Sequence, residues 1–158
     1  AELHLSGASV LANQDQVHNF IRIHHEAPHC NSDQLFKNVI DDKGRSSIDG
    51  TVIVNKGAQL TNSDQLINNL MLSDEAHSDN KPNLMIFADD VKCTHGTAVG
   101  QINEDQLFYL KTRGLSQELA KSLLTTSFVN SLIQTIPFPD VIADLNDILL
   151  KKLEAKHA

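Results

Sequence analysis

Chemically reactive side chains concentrate in one short stretch, which reads DDVKCTHG from residue 89 to residue 96. If this stretch is a strand, Cys93 and His95 stand at positions i and i+2 and share one face. A thiolate beside an imidazole makes a pair of metal ligands. The same residues also suit a structural role, with Cys93 as a small buried hydrophobe and His95 as a turn residue. Residue types alone leave both interpretations open.

A catalytic role for this stretch has little support. Cys93 could act as a thiol nucleophile beside His95, but the sequence indicates neither a group that orients the histidine nor an oxyanion site. An alternative is an enzyme on a stacked β-fold that acts on a carbohydrate or acyl substrate, using Cys93 or the carboxylates Asp89 and Asp90. Carbohydrate enzymes of this kind usually have a groove rich in aromatic and acidic residues, and this chain has one Tyr and no Trp. We therefore predict no catalytic residue.

A second group of candidate ligands lies in the stretch HHEAPHC and comprises His24, His25, His29 and Cys30. Consecutive histidines face opposite ways on a strand, and Pro28 prevents a helix that would bring the remaining side chains together. The spacing matches no zinc motif. The role of this group stays unassigned.

Composition excludes several classes of protein. The net charge of -7 argues against a nucleic-acid surface, and the sequence lacks the ~20-residue apolar run of a membrane helix. The phosphate-binding motif GxxxxGK[ST] is absent, so the chain is not itself a P-loop NTPase. Two cysteines cannot supply the four thiolates of an ordinary iron–sulfur cluster, so any cluster needs ligands from another chain. The low cysteine content favours a reducing compartment, and we expect the cytoplasm.

The pentapeptide NSDQL occurs at residues 31–35 and 62–66, and a near copy, NEDQL, occurs at 103–107. A shift of 31 residues aligns the two copies and also aligns Ile21 with Val52. Kept apolar positions at a fixed interval are typical of a unit stacked on its own copy. Within the unit we expect NSDQL to form a turn, with its leucine pointing inward. The same register, extended from NEDQL, places Cys93 under Ile21 and Val52, and His95 in an equally aliphatic column.

These units alternate like strands and have no helices between them, which predicts a mainly β fold of stacked coils, a parallel β-helix. We expect it to occupy residues 1–101, with a polar surface loop from Ser73 to Pro82. A helical region follows at 102–158. Its helices should begin at Asn103, at Ser116 and at Asp140, and Gly114 should end the first.

The last two predicted helices carry more apolar surface than a cap over the coils requires. We therefore expect a free helical hairpin that docks a partner. The candidate docking residues are Leu119, Leu123, Phe128, Leu132, Val141, Leu145 and Leu149.

The run ADDVKCTHGTAVGQINEDQLFYLKTRGLSQELA, residues 88–120, resembles the SufD branch of the SufB/SufD family of iron–sulfur cluster assembly proteins. HHEAPHCNSDQLFKNVI and GTVIVNKGAQLTNSDQLINNLMLSDEA support the resemblance, which extends from about residue 17 to residue 136. The combination of CTHG with FYLKTRG is its most specific part. The resemblance implies a right-handed parallel β-helix followed by helices. Family members are much longer, so this chain resembles a C-terminal fragment.

The resemblance also implies a function, that of a non-catalytic scaffold subunit. The subunit would pair with a SufB-like paralogue, and its C-terminal helices would dock a SufC-like ABC ATPase. ATP would be bound only by that ATPase and not by this chain. A nascent iron–sulfur cluster would be held transiently and shared with the paralogue, with His95 and Cys93 as ligands on this side. Flavin binding and a homodimer of the isolated chain stay open, and a purely structural, self-associating solenoid is a third interpretation.

Overall fold

The structure is a computed structural model that describes residues 1–154, and it contains seven strands followed by three helices. The strands are β1 (Glu2–Leu11), β2 (Gln16–His25), β3 (Asn31–Ile40), β4 (Arg45–Val54), β5 (Thr61–Met71), β6 (His77–Ile86) and β7 (Val91–Gly100). The helices are α1 (Glu104–Thr112), α2 (Gln117–Ile133) and α3 (Pro139–Glu154). The final four residues of the predicted helical region, 155–158, lie outside the described residues.

The strands form two parallel sheets that the chain visits alternately. One sheet, here called sheet A, has the order β1-β3-β5-β7, and the other, sheet B, has the order β2-β4-β6. Each strand from β1 to β5 pairs in parallel with the strand two positions later in the chain, so one coil consists of two strands and two corners. The prediction of a parallel β-solenoid followed by helices is confirmed.

Apolar side chains, mostly from sheet B, fill much of the space between the two sheets. Alternation along each strand sends one set of side chains inward, and the β-branched residues of β4 supply much of the filling. Val52, Val54 and Ile48 are fully buried, as is Ile67 on the facing sheet. Packing in this interior fixes which residues of each strand point inward. It therefore also fixes which residues of β7 face the open end of the stack.

The NSDQL pentapeptides are strands, and the prediction that they form turns was wrong. The first begins β3 and the second lies at the start of β5, paired residue for residue. Their serine and glutamine side chains point inward and are buried, whereas Leu66 is 36% exposed. Identical polar residues can occupy the interior because each bonds its copy in the neighbouring coil, as Ser32 Oγ does in donating to Ser63 Oγ at 2.9 Å.

The coil length varies, which overturns part of the predicted register. Asn31 pairs with Asn62 as the 31-residue interval requires, but Gln16 pairs with Arg45 and Arg45 with His77. Ile21 consequently stacks on Gly50 and not on Val52. The difference is taken up at the corners, where residues with positive φ turn the chain: Asn13, His29, Asp42 and Leu60.

The stretch predicted as a surface loop is half strand. Only its first part is irregular, and β6 begins at His77 and includes Pro82. Proline lacks the backbone N–H that a central strand needs, and it is tolerated here because β6 is one of the two edge strands of sheet B. Pro82 was the reason for predicting a loop. It was misleading because a proline is incompatible with a strand that is paired on both sides, but not with an edge strand.

The predicted helix starts are confirmed for α1 and α2. The side chain of Asn103 accepts a hydrogen bond from the Gln106 backbone N–H, and that of Ser116 accepts one from Leu119. Gly114 has φ +92°, the left-handed conformation expected after a helix end. No helix in the described part of the chain is long and apolar enough to cross a membrane.

The expectation of a free helical hairpin was wrong, because α2 and α3 pack on the outer face of sheet A. Their buried residues form one apolar cluster with Val39 of β3, and the members from the helices are Val129, Ile133, Leu149 and Leu153. Lys37, also on β3, donates a hydrogen bond to the Phe128 carbonyl oxygen at 3.0 Å. The helices therefore cover the apolar outer face of the solenoid.

Candidate functional site

Cys93 and His95 lie on β7, the last strand of sheet A. Cys93 pairs with Ser63 and His95 with Gln65, and both of those β5 residues point inward and are buried. Parallel pairing keeps side chains of paired residues on the same face, so Cys93 and His95 continue the inner columns. The two side chains therefore share a face at the open end of the coil stack.

The predicted position of this pair in the stack was wrong. Cys93 does not lie under Ile21 and Val52, because those residues belong to sheet B. Its column on sheet A holds Ser32 and Ser63, and the neighbouring column holds two buried glutamines below His95. The pair thus continues polar columns and does not interrupt aliphatic ones.

Cys93 is half-buried and packs against the apolar cluster of the interior, which includes Val52 and Val54. This burial raises the pKa of the Cys93 thiol, and a hydrogen bond with the backbone of Ser63 acts in the opposite direction. The thiol is a protonated, weakly reactive group at neutral pH. A metal ion that binds there must therefore displace a proton.

His95 is exposed and lines one end of a shallow groove whose other residues belong to sheet B, from Phe20 on β2 to Lys81 on β6. Within residues 1–154 its side chain makes no hydrogen bond. The groove also contains an ion pair between Lys81 and Asp49, at 3.7 Å, and the Arg22 guanidinium 5.2 Å from the centre of the Phe20 ring. An imidazole at the rim of an open groove can reach a group held by a second chain.

The donor atoms present do not complete a metal site. Among the described residues, no group of three or more His, Cys, Asp or Glu side chains could hold a metal ion. Cys93 and His95 offer one sulfur and one nitrogen, whereas an iron–sulfur cluster is held by about four ligands. These two residues can contribute part of a ligand set that another chain completes.

The second histidine group is dispersed. His24 is exposed, and His25 is buried on the opposite face, where its Nε2 lies 2.9 Å from Ser32 Oγ. His29 is exposed at a corner with φ +57°, and Cys30 is a buried free cysteine. No common ligand site arises from these residues.

The candidate docking residues divide into two sets. Leu119, Leu123 and Val141 are 58%, 46% and 43% exposed and remain accessible. The other four contribute to the cluster that attaches the helices to sheet A or are buried next to it: Phe128, Leu132, Leu145 and Leu149. Only the exposed set is available to a partner in this conformation.

Sequence reasoning missed the inner glutamine and serine columns beneath the site. Gln34, Gln65 and Ser32 are each no more than 2% exposed, and Ser63 is 3% exposed. The signal was present in the repeat, where Ser and Gln occupy alternate positions of both NSDQL copies. Polar residues that recur at strand spacing predict an inner ladder once the segment is known to be a strand.

A family model of known proteins matches most of this chain, including the strands that carry the site. The family model described as SUF system FeS cluster assembly, SufBD core domain, matches residues 1–128. This range includes the whole solenoid, α1 and most of α2. Both β7 and the inner columns below it therefore lie within the matched region.

Several curated relatives are similar over most of the chain. An iron–sulfur cluster assembly SufBD family protein of Synechocystis is 41% identical over 120 residues, 76% of this chain and 26% of the relative. The Escherichia coli iron–sulfur cluster assembly protein SufD is 40% identical over 72% of this chain and 27% of its own length. The chloroplastic protein ABCI7 of Arabidopsis thaliana is 43% identical over 77% of this chain and 25% of its own. The chain spans about a quarter of the length of these relatives.

Proposed function

Because the chain belongs to the SufBD core family of the SUF system for iron–sulfur cluster assembly, we propose that it is a non-catalytic scaffold subunit. One observation carries the proposal, namely the position of Cys93 and His95 on a shared inner face of the edge strand. A thiol and an imidazole at an open edge can take part in holding a nascent cluster without completing its ligand set. The cluster is then cargo, held transiently between two chains.

The partner that supplies the missing ligands is, in this proposal, a SufB-like paralogue. The edge of β7 offers unpaired backbone groups beside the two ligands, and an unpaired strand edge is a template for pairing with another chain. A relative with the same solenoid could bring its own ligands to the opposite side of the cluster. The complete site would therefore exist only in the complex.

A SufC-like ABC ATPase is the second proposed partner, and it would dock on the exposed face of the helices. Leu119, Leu123 and Val141 form the accessible part of that face. The chain itself lacks a P-loop, so ATP would act through this partner alone. We further propose a reducing compartment, the cytoplasm, in keeping with the free cysteines Cys30 and Cys93.

The role of the ligand pair is tested by reconstituting the complex with His95→Ala and following cluster transfer to a client apoprotein. We expect transfer to fall by about tenfold or more, as it does when a metal ligand or its support is removed. His24→Ala is a matched control because His24 is exposed on another strand. Wild-type transfer by the His95 variant would overturn the proposed role.

The docking face is tested without removing the helices, because their deletion would uncover the apolar face of sheet A. A double variant, Leu119→Glu with Leu123→Glu, places charge on the exposed face and should abolish capture of the ATPase in a pull-down. Leu150→Glu provides the control, since Leu150 is also exposed, at 48%, on α3. Undiminished capture by the double variant would refute this docking face.

A further inference from the structure

The inner column that ends at His95 contains an acceptor without a partner. Gln65 is fully buried, and its Nε2 donates to Gln34 Oε1 at 3.5 Å. Its Oε1 is buried and has no hydrogen-bond partner within residues 1–154. Buried carbonyl oxygens are rarely left unpaired in native proteins, because water has been lost without replacement. Because Gln34 occupies the column on one side of this amide, the side toward the next coil is where a donor for the oxygen can be placed.

The amide of Gln65 has little room to turn away. It lies against Gly50 on the facing sheet, where an added Cβ would stand 2.0 Å from Gln65 Nε2. Only a residue without a side chain permits this approach. The amide is thus confined between the two sheets, with one side bonded to Gln34 and the other side facing the next coil.

The next coil places His95 in the position above this amide. Gln65 and His95 are register partners, and paired strands are spaced about 4.8 Å apart. The facing positions match as well, since Gly50 pairs with Pro82, which lines the groove together with His95. The register therefore puts His95 at the same separation from Gln65 that the hydrogen bond between Gln34 and Gln65 spans one coil below.

We propose that Gln65 is a positioning residue for His95, whose ring N–H donates a hydrogen bond to Gln65 Oε1. That bond selects one tautomer of the His95 imidazole. It also directs the other ring nitrogen, which is then unprotonated and can bind a metal ion, toward the open end of the coil stack. Histidines that bind metals usually make such a second contact, and it sets both the orientation and the basicity of the ring. The inference rests on the proposed role of His95 toward the nascent cluster.

The direct test is the tautomer of His95, measured by long-range proton–nitrogen correlation spectra of the isotope-labelled complex in mildly alkaline buffer. A His95→Gln variant assigns the signals. We expect one tautomer in the wild type and a mixture in Gln65→Met, which keeps the side-chain length without the acceptor. Gln65→Glu, which retains an acceptor oxygen, should restore a single tautomer.

The wild-type spectrum alone can overturn the inference, even if a variant fails to fold. A freely averaging imidazole in the wild type would show that no such hydrogen bond exists. Asn69→Leu is the matched control, because it removes an equally buried amide from the same strand. A change in the His95 signals in this control as large as that in Gln65→Met would point to general disturbance of the interior and would also refute specific positioning.

Cluster transfer separates this inference from the proposed function. If both hold, Gln65→Met lowers transfer by about tenfold and Gln65→Glu restores much of it. If His95→Ala transfers normally while the tautomer depends on Gln65, positioning stands and the proposed role of His95 fails. If His95→Ala abolishes transfer while Gln65→Met changes neither tautomer nor transfer, the role of His95 stands and positioning fails.

Discussion

Single residues decide what the interior of the solenoid can tolerate. Ser32 and Ser63 bond each other at 2.9 Å, and Asn38 Nδ2 donates to Asn69 Oδ1 at 2.8 Å. Each of these four buried polar side chains thus meets the same residue one coil away. A slip of one residue would turn Asp64 inward, where its charge would have no partner, so these bonds favour a single register.

The burial of His25 predicts that the free energy of unfolding falls at acidic pH. Burial lowers the pKa of His25, so the unfolded chain binds a proton more readily than the folded one does. Stability is complete well above the ordinary pKa of histidine, and it falls as the pH drops through that value, because protonation then favours unfolding. Urea unfolding at neutral and at mildly acidic pH should show a smaller acid loss in His25→Gln than in the wild type.

His24→Gln is the control for this measurement, because His24 is exposed on the other face of β2. It should keep the acid sensitivity of the wild type. Equal acid losses for wild type and His25→Gln would show that His25 does not contribute to it.

The ligand pair could be predicted at the residue scale, whereas its surroundings could not. The spacing of Cys93 and His95 is a local property of one strand, and alternation alone places both on one face. What lies beneath them depends on pairing with β5, and that register is set by corner lengths that the repeat did not reveal. Residues of the facing sheet, such as Gly50, are not indicated by any local sequence pattern.

At the scale of elements, one lysine connects α2 to sheet A. Lys37 Nζ donates to the Phe128 carbonyl oxygen and to Ser131 Oγ, and it lies 4.8 Å from the centre of the Phe128 ring. Burial lowers the pKa of Lys37. The charge is thus partly withdrawn from water and held by polar atoms and an aromatic face of the helix.

Lys37→Met should therefore lower the free energy of unfolding by about 1–2 kcal/mol, since the methionine restores packing but not the charged hydrogen bonds. Lys43→Met is the matched control, because Lys43 forms an exposed ion pair with Glu75 at 3.5 Å. Its effect should stay within about 0.5 kcal/mol. Equal free energies of unfolding in urea for the two variants would rule out a special role for Lys37.

A corner between coils contains a strained leucine. Leu60 has φ +59°, a conformation that costs a residue with a branched side chain about 1–2 kcal/mol. Leu60 is 46% exposed, so replacement loses only about half of the burial that a fully enclosed leucine would lose. Leu60→Asn should raise the free energy of unfolding by roughly 0.5–1 kcal/mol, because asparagine tolerates the left-handed region.

Leu66→Asn distinguishes conformational relief from a general benefit of removing an exposed leucine. Leu66 is 36% exposed within β5 and is not among the residues with positive φ. Asparagine is unfavourable in strands, so this variant should be neutral or less stable. A stabilisation of the same size at both positions would contradict the strain at Leu60.

The helical elements were the most predictable part of the chain, apart from where they pack. The capping residues Asn103 and Ser116 act within one turn, so the sequence around them is sufficient. The face covered by α2 and α3 depends on residues such as Val39, which lies about ninety positions before Val129 in the same cluster. An amphipathic helix indicates that a partner surface exists, but not whether that surface belongs to the same chain.

The whole molecule ends, on the side of β7, in a strand with one unpaired edge and exposed apolar side chains. Val99 on this strand is 58% exposed. We expect the isolated protein to form concentration-dependent dimers through this edge. Val99→Lys should weaken the dimer by about tenfold or more in sedimentation velocity, because charge on an edge strand opposes pairing.

Leu150→Lys, on the outer helix α3, should leave the same equilibrium unchanged. Dimers that persist equally in both variants would assign self-association to a different surface. Loss of dimers on addition of a SufB-like partner would indicate that both contacts use the edge of β7.

The unequal coils have a consequence for how such a chain can change over generations. Successive strand starts on sheet B lie 29 and then 32 residues apart, yet the inward side chains remain in line. Insertions and deletions of a few residues can therefore accumulate at the bends without moving His95 relative to Gln65. A single insertion inside β5 would instead exchange its inner and outer faces. We therefore expect related sequences to differ in length at the bends. Within the strands, we expect them to keep the alternation of inward and outward residues.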